Sequence, residues 1–368
     1  MAKSRLHELT EHGQAVWFDT LSRDLVKTGE LKRMMDEDAV TGVTSNPTIF
    51  QKALSGSDAY DKDLKRLLGE TDDPTEIFFS LALQDIRDAC DVLKPAYDAS
   101  NGVDGYVSME VEPGIAYDTD RSFDQARWIA KEVERPNLFV KIPATAPGLP
   151  AIEECTAKGT SINITLIFSL ERYKAVVEAY LRGLERLVAS GGKPAQVASV
   201  ASFFVSRVDT ETDKRLDALG RPDLKGKLAI ANAKLAYQHY LEVFASDRWR
   251  YLEGKGATKQ RCLWASTSTK NPEYRDVMYV EELIGPETVN TMPLETIRAF
   301  QDHGELRGDT VLEGIDEARE LFRQLADAGV DYDDVTDTLE AEGVQKFADS
   351  FDEIVESIRV KRGALAAA

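Results

Sequence analysis

Short apolar runs recur along the chain and alternate with longer segments of helical pattern. Several of these runs are apolar at consecutive positions, as expected for parallel strands covered on both faces. The eight predicted strands are Ala15–Asp19, Gly42–Asn46, Tyr106–Val111, Leu138–Pro143, Ser161–Phe168, Val197–Phe204, Arg261–Thr267 and Val289–Pro293. Eight strands that alternate with helices favour an α/β fold of the closed TIM-type (β/α)8 barrel over an open doubly wound sheet.

The segments between these strands carry helix start and stop signals. Asp73 is the predicted N-cap of a helix that begins at Pro74 and runs toward Tyr97, and Ser169 caps a helix that ends near Ala189. The other long helical patterns cover Lys227–Glu253, Gly314–Ala328, Asp331–Glu342 and Val344–Lys361. Because no linker divides the chain, we predict a single barrel domain over residues 1–368, with the extra C-terminal helices at about 314–362 packed on the barrel.

Charge limits the classes of partner. The chain has 45 Lys and Arg against 64 Asp and Glu, a net charge of -19. A surface this acidic repels anionic lipid and the phosphate backbone of nucleic acids. We therefore expect neither nucleic-acid nor membrane binding. An anionic substrate would need a local cationic pocket within this negative field.

The sparse cysteines indicate a compartment. Cys90, Cys155 and Cys262 are few and far apart, which argues against a disulfide framework and for a reducing environment. The N-terminal segment is polar and lacks the apolar region of a secretory signal. We therefore expect a cytoplasmic protein. The acidic surface and the extra C-terminal helices fit either a monomer or a homodimer.

Metal and nucleotide cofactors are not expected. The four histidines form no His-x-x-x-His pair on a helix, and none lies beside a cysteine. We therefore predict no metal site and interpret the histidines as surface or capping residues. No Gly-x-Gly-x-x-Gly follows a predicted strand, and the segment Gly220–Lys227 departs from the spacing of a phosphate loop, so it is predicted to be a polar loop between helices.

Lys141 is the most informative polar residue. It lies in the apolar strand Leu138–Pro143, with no opposite charge next to it in sequence. Lysine is rarely buried unless it is paired or functional. One interpretation is a structural lysine at a strand end, either in a salt bridge or with its head in solvent. The other is a reactive amine, since apolar surroundings disfavour the ammonium form and activate lysines that form Schiff bases.

Other polar residues lie toward the ends of the predicted strands, where a barrel places its active site. Carbonyl chemistry by an amine needs groups that move protons, and Glu110 and Asp19 are candidates. Either acid alone is better explained by a structural salt bridge, but two acids converging on the lysine reverse that preference and favour catalysis. A phosphorylated substrate would be held by cations and hydroxyls: Arg207, Lys270, Ser202 and Ser266. Arg207 alone is equally well explained as a solvated helix residue.

Two segments resemble the transaldolase family. Gly42–Phe50 (GVTSNPTIF) is similar to the family's first signature, and Leu138–Leu149 (LFVKIPATAPGL) is similar to its second, which is centred on the lysine. Val107–Val111 (VSMEV), Ser161–Ser169 (SINITLIFS) and Ser202–Arg207 (SFFVSR) also resemble family segments. The resemblance covers the chain from Asp19 to about Pro293.

The resemblance implies a metal-free, cofactor-free enzyme that transfers a dihydroxyacetone unit between sugar phosphates in the non-oxidative pentose phosphate pathway. The donor would be fructose 6-phosphate or sedoheptulose 7-phosphate, and the acceptor erythrose 4-phosphate or glyceraldehyde 3-phosphate. Lys141 would form the Schiff base, Glu110 would act as acid and base through a water gated by Thr165, and Asp19 would move the proton at the cleaved bond. Asn46, Asn163 and Ser202 would hold the three-carbon unit, and Arg207 the phosphate.

One position departs from the family pattern. Many members carry an arginine after strand seven as the second phosphate ligand, whereas this chain has Lys270 there. Lysine is a point charge without the bidentate fork of arginine. The second phosphate contact is therefore the least certain element of the resemblance.

Three alternatives follow from the same residues. A simple aldolase would use the same lysine and release free dihydroxyacetone, but such relatives are much shorter and tend to carry an amide where Glu110 stands. A non-catalytic barrel scaffold would lack the lysine or the acids, and all of them are present. A metal-dependent aldolase is disfavoured by the missing histidine cluster.

Overall fold

Eight parallel strands form a closed barrel. The computed structural model describes residues 4–366. The strands are β1 Gln14–Phe18, β2 Val40–Val43, β3 Val107–Glu110, β4 Leu138–Pro143, β5 Ile162–Ile167, β6 Ser199–Phe204, β7 Gln260–Ala265 and β8 Thr288–Met292. They are neighbours in chain order, and β8 pairs in parallel with β1 to close the sheet. The predicted (β/α)8 barrel is confirmed.

All eight predicted strands are present, with ends that differ by a few residues. The largest difference is in β2, which ends at Val43 rather than at Asn46. The chain leaves the sheet early because Asn46 caps the next helix, where its Oδ1 accepts a hydrogen bond from the Ile49 amide at 3.0 Å. The segment from Thr44 to Asn46 therefore lies at the C-terminal end of the barrel, where its polar groups are available to a site.

Polar side chains close the opposite, N-terminal end of the barrel. Gln14 Nε2 donates to Thr288 Oγ1 at 3.0 Å, and Gln260 Nε2 donates to Ser199 Oγ at 2.9 Å. These four buried residues are the first residues of β1, β8, β6 and β7. Because their side chains bond to one another inside the barrel, this end is filled with protein atoms.

Helices cover the outside of the barrel. They are α1 Arg5–Glu11, α2 Arg23–Lys27, α3 Glu30–Asp38, α4 Pro47–Gly56, α5 Asp61–Leu67, α6 Pro74–Ala99, α7 Thr119–Val133, α8 Gly148–Ala157, α9 Leu170–Ala189, α10 Ser206–Leu219, α11 Leu228–Phe244, α12 Asp247–Glu253, α13 Met278–Glu282, α14 Leu294–His303, α15 Ile315–Asp327 and α16 Tyr332–Ala366. The caps predicted for α6 and α9 are confirmed, since Asp73 accepts from the Thr75 amide and Ser169 from the Arg172 amide.

The prediction of one helix over Lys227–Glu253 is wrong. The structure has two, because α11 ends at Phe244 and α12 begins at Asp247. Ser246 between them acts as an N-cap, and its Oγ accepts a hydrogen bond from the Trp249 amide at 3.2 Å. The predicted loop at Gly220–Lys227 does separate α10 from α11.

The prediction of separate helices over Asp331–Glu342 and Val344–Lys361 is also wrong. Both segments belong to α16, which passes through Gly343 without a break. A glycine inside a helix costs about 1 kcal/mol relative to alanine. Here it allows a close approach, since a Cβ at Gly343 would lie only 3.0 Å from Leu166 Cδ2 of β5.

The C-terminal helices pack on the helices of the barrel. Helix α15 contacts α11, and α16 contacts α4, α6 and α10. Residues 1–3 and 367–368 of the predicted domain lie outside the described residues. Among residues 4–366, no helix has the length and apolar character that crossing a membrane requires.

Candidate active site

Lys141 and Glu110 form a buried pair at the centre of the barrel. They are register partners on the adjacent parallel strands β4 and β3, so both side chains leave the sheet on the same face. Lys141 Nζ lies 3.2 Å from Glu110 Oε2 and donates to the backbone oxygen of Ser45 at 3.0 Å. Lys141 is 5% exposed and Glu110 7%. The salt bridge of the structural interpretation is present, but the amine also faces the cavity described below.

Glu110 is in an environment that favours its protonated form. Burial raises the pKa of Glu110, and the charge of Lys141 opposes this rise. Apart from the ion pair, its carboxylate oxygens have no hydrogen-bond partner among the described residues. A carboxyl group of this kind can take a proton from the neighbouring ammonium group and return it in a later step.

Asp19 follows β1 and is held by the end of β2. Thr44 Oγ1 donates to Asp19 Oδ1 at 2.7 Å. Burial raises the pKa of Asp19, while the hydrogen bond from Thr44 and the charges of Lys141 and Arg207 lower it. These opposing effects are typical of a carboxylate positioned to exchange a proton with a ligand.

A cavity of about 560 Å³ opens at the C-terminal ends of the strands. Eight of the ten predicted site residues line it: Asp19, Asn46, Lys141, Thr165, Ser202, Arg207, Ser266 and Lys270. The other two lie next to it. Glu110 borders a second, smaller cavity, and Asn163 is fully buried inside the barrel.

Asn163 orients a hydroxyl of the cavity wall. Ser202 Oγ donates to Asn163 Oδ1 at 2.6 Å, and Asn163 Nδ2 donates to Ser108 Oγ at 3.0 Å. Both ends of the amide are therefore bonded within the barrel. Thr165, on the neighbouring side of the cavity, has a buried hydroxyl with no hydrogen-bond partner among residues 4–366.

Arg207 and Lys270 supply positive charge above Lys141. Arg207 follows β6 at the start of α10, and its guanidinium lies 5.2 Å from the ring centroid of Phe204. Burial lowers the pKa of Arg207, and Asp19 opposes this. Lys270 lies in the loop after β7, is exposed, and donates to Ser268 Oγ at 2.6 Å. The two cations come from adjacent strands, which suits the binding of a single anionic group.

Ser266 is held in an uncommon backbone conformation. It has a φ of 57°, and its Oγ lies 2.9 Å from Ser206 Oγ. Non-glycine residues at positive φ are infrequent and cluster at functional sites. The strained residue follows β7 directly, where the chain turns into the loop that carries Lys270.

Comparison with known proteins identifies the family. The family model Transaldolase/Fructose-6-phosphate aldolase matches residues 16–358. The chain belongs to this family. A protein named Transaldolase from Frankia alni is 52% identical over 361 residues, which are 97% of this chain and 97% of that protein. Proteins of the same name from Acidothermus cellulolyticus and Mycobacterium bovis are 51% and 49% identical over 355 and 358 residues, and each match covers 95% or more of both chains. The resemblance drawn from the sequence is confirmed.

Several residues that line the cavity of this transaldolase-family protein are not among the predicted site residues, and they include Lys52, Phe204, Lys346 and Phe347. Phe204 lies inside a segment that resembles the family, and Lys52 closely follows another, so both were within reach of the sequence. Lys346 and Phe347 come from α16, nearly the whole chain away from β1. No local pattern marks them, because only the path of α16 over the barrel brings them to the cavity.

The histidines have structural partners. His12 ends α1 and lies 3.1 Å from Asp309, and His303 lies 2.8 Å from Asp276. Among the described residues, no group of three or more His, Cys, Asp or Glu side chains is arranged to hold a metal ion.

Proposed function

We propose that this family member is a transaldolase of the non-oxidative pentose phosphate pathway, which transfers a dihydroxyacetone unit from a ketose phosphate to an aldose phosphate. The observation that carries the proposal is the buried pair of Lys141 and Glu110, 3.2 Å apart, facing a cavity with cations at its mouth. The name Transaldolase on relatives about 50% identical over nearly their full length supports the transfer reaction. Neither a metal nor an organic cofactor is required by the steps below.

Schiff-base formation begins with the unprotonated amine. Glu110 takes the proton of the Lys141 ammonium group, and the amine attacks the C2 carbonyl carbon of the ketose phosphate. The carbinolamine then loses its hydroxyl group as water. Glu110 supplies the proton for this step, and Thr165 lies next to the route of that proton. The product is an iminium ion between C2 and Lys141.

The iminium draws electrons from the bond that breaks. Asp19 removes the proton of the C4 hydroxyl, the C3–C4 bond breaks, and its electron pair moves into the iminium to give an enamine. The aldose phosphate leaves. The enamine then attacks the carbonyl carbon of the acceptor aldose phosphate, whose oxygen takes the proton from Asp19. Water hydrolyses the new iminium and frees Lys141.

Polar side chains hold the substrate during these steps. We assign Asn46, Ser202 and, through Ser202, Asn163 to the hydroxyl groups of the three-carbon unit. Arg207, Ser266 and Lys270 are assigned to the phosphate, where charge-assisted hydrogen bonds are stronger than neutral ones.

Borohydride trapping tests the assignment of the lysine. With fructose 6-phosphate present, borohydride should reduce the iminium and leave a three-carbon adduct on Lys141, located by peptide mass spectrometry. Lys234 is a matched internal control, since it is also buried and lies 3.2 Å from Glu282, but is outside the cavity. Exchange of the unit into erythrose 4-phosphate should exceed net release of dihydroxyacetone. An adduct on Lys234, or none, contradicts the mechanism, and dominant release would make the protein an aldolase.

We also infer that the enzyme works in the cytoplasm. Cys90, Cys155 and Cys262 are buried and unpaired, which fits a reducing compartment. Its oligomeric state, monomer or homodimer, stays a prediction that sedimentation velocity would measure.

A further inference from the structure

Helix α16 brings a cation into the cavity that the mechanism above does not use. Lys346 and Phe347 both line the cavity, together with Lys52, Arg207 and Lys270. Phe347 is buried, whereas Lys346 is exposed, so its ammonium group is accessible to a ligand. The proposed phosphate ligands Arg207 and Lys270 come from α10 and the loop after β7, and Lys346 approaches from a third element.

The position of Lys346 is fixed by the packing of its helix. One turn earlier, Gly343 lies so close to the barrel that a Cβ there would be 3.0 Å from Leu166 Cδ2 and 3.6 Å from Arg207 Nη1. One turn later, the hydroxyls of Ser350 and Thr48 lie 2.7 Å apart and join α16 to α4. Residues three and four apart share a helix face, so Gly343, Lys346 and Ser350 lie on the face that covers the barrel mouth.

The surroundings of Lys346 are cationic. Partial burial lowers the pKa of Lys346, and the charges of Arg207, Lys270 and Lys52 lower it further. Among the described residues it forms no ion pair with a carboxylate, although Asp19 and Glu295 also line the cavity. The chain has 64 acidic residues, yet these positive charges lie together at one cavity. They repel each other there unless an anion binds among them. A dianionic phosphate would remove that repulsion.

We propose that Lys346 is a third ligand of the substrate phosphate and sets the preference of the enzyme for phosphorylated sugars. This rests on the proposed function. Lysine in place of arginine at position 270 gives one point charge where the family pattern has a bidentate fork. A second lysine from α16 restores the number of donors to the phosphate.

Kinetics of Lys346→Gln test the proposal. The KM for fructose 6-phosphate and the inhibition constant of inorganic phosphate should both rise about tenfold, the effect of losing one hydrogen bond to a charged group. The kcat, and the kcat/KM for unphosphorylated glyceraldehyde as acceptor, should stay near their original values. Lys346→Arg should restore the KM, because it keeps the charge. Lys361→Gln is the matched control, since this lysine lies on the same helix and pairs with Asp61 outside the cavity.

Two outcomes separate the proposal from the proposed function. If Lys346→Gln leaves both constants unchanged while Arg207→Gln raises them, Lys346 is not a phosphate ligand and the transaldolase assignment stands. If the wild-type protein transfers no three-carbon unit, phosphorus NMR titration with inorganic phosphate still decides the matter. Weaker binding by Lys346→Gln would then support the anion site, and equal binding would overturn it.

Discussion

At the scale of single residues, the chemistry of the site depends on the protonation states of Glu110, Lys141 and Asp19. Glu110 and Lys141 form an ion pair at 3.2 Å, and both are nearly excluded from solvent. Removing one partner of a buried pair leaves the other charge uncompensated, at a cost of several kcal/mol. Lys141→Ala therefore tests stability as well as catalysis. Removing a hydrogen bond to Asp19 should change the pKa of this carboxyl group without leaving a buried charge uncompensated.

Thr44→Val should change the pH dependence of catalysis. The Thr44 hydroxyl stabilises the Asp19 carboxylate, so its loss raises the pKa of Asp19 further. If Asp19 acts as the base, the acidic limb of the pH profile of kcat/KM should move to higher pH. Thr41→Val is the matched control in the preceding strand β2, because the Thr41 hydroxyl bonds to Asp104 instead. Identical profiles for wild type and Thr44→Val would remove Asp19 from the role of base.

At the scale of elements, α16 forms the wall behind Glu110. Phe351 of this helix lines the small cavity next to Glu110, together with Phe50 and Phe78. The rings of Phe78 and Phe351 are 5.2 Å apart at nearly a right angle. Burial raises the pKa of Glu110, and this aromatic cluster is part of what surrounds the carboxyl group.

Phe351→Ala should lower the pKa of Glu110. Truncation admits water behind the carboxyl group, so the limb of the pH profile that belongs to Glu110 should move to lower pH. The variant should also lose about 3–5 kcal/mol of stability, as for other buried phenylalanines. Ile354→Ala controls for this loss, since Ile354 is buried on the same helix and does not border the cavity. Equal pH profiles in the two variants would show that the aromatic wall does not tune Glu110.

At the scale of the whole molecule, a strongly negative protein carries a cationic cavity. The net charge of -19 opposes the approach of a sugar phosphate, whereas the cations at the barrel mouth favour it. Anion binding at this one place also stabilises the fold, because a ligand that binds only the native state raises the free energy of unfolding.

Inorganic phosphate should raise the midpoint temperature of thermal unfolding by more than sodium chloride does at equal ionic strength. At 100 times its Kd it should add about 2.7 kcal/mol to the free energy of unfolding. Sodium chloride at equal ionic strength screens the surface repulsion and controls for that contribution. The difference between the two salts should disappear in Arg207→Gln. A difference that persists in this variant would place the anion elsewhere.

The strands and their order were predictable because the signals are local. Leu138–Pro143 is apolar throughout and has the same limits in the structure as in the prediction. The predictions are wrong where a single residue is compatible with two positions in a helix, its interior or its end. The sequence pattern predicts Ser246 inside a helix, but this residue caps a new one. It predicts a helix end at Gly343, but this residue lies inside α16. In both cases neighbouring packing decided, and the local pattern did not.

The sequence by itself determined the alternation of strands and helices, and it placed Lys141 and Glu110 on strands and Asp19 at the end of one, because periodicity and caps act over a few residues. Only the tertiary structure decided that Glu110 faces Lys141 across β3 and β4 and that Asn163 bonds to Ser202 across β5 and β6. It alone brought Lys346 and Phe351 of α16 to the site. Contacts between residues so far apart in sequence form only when the barrel closes and a helix packs across its mouth.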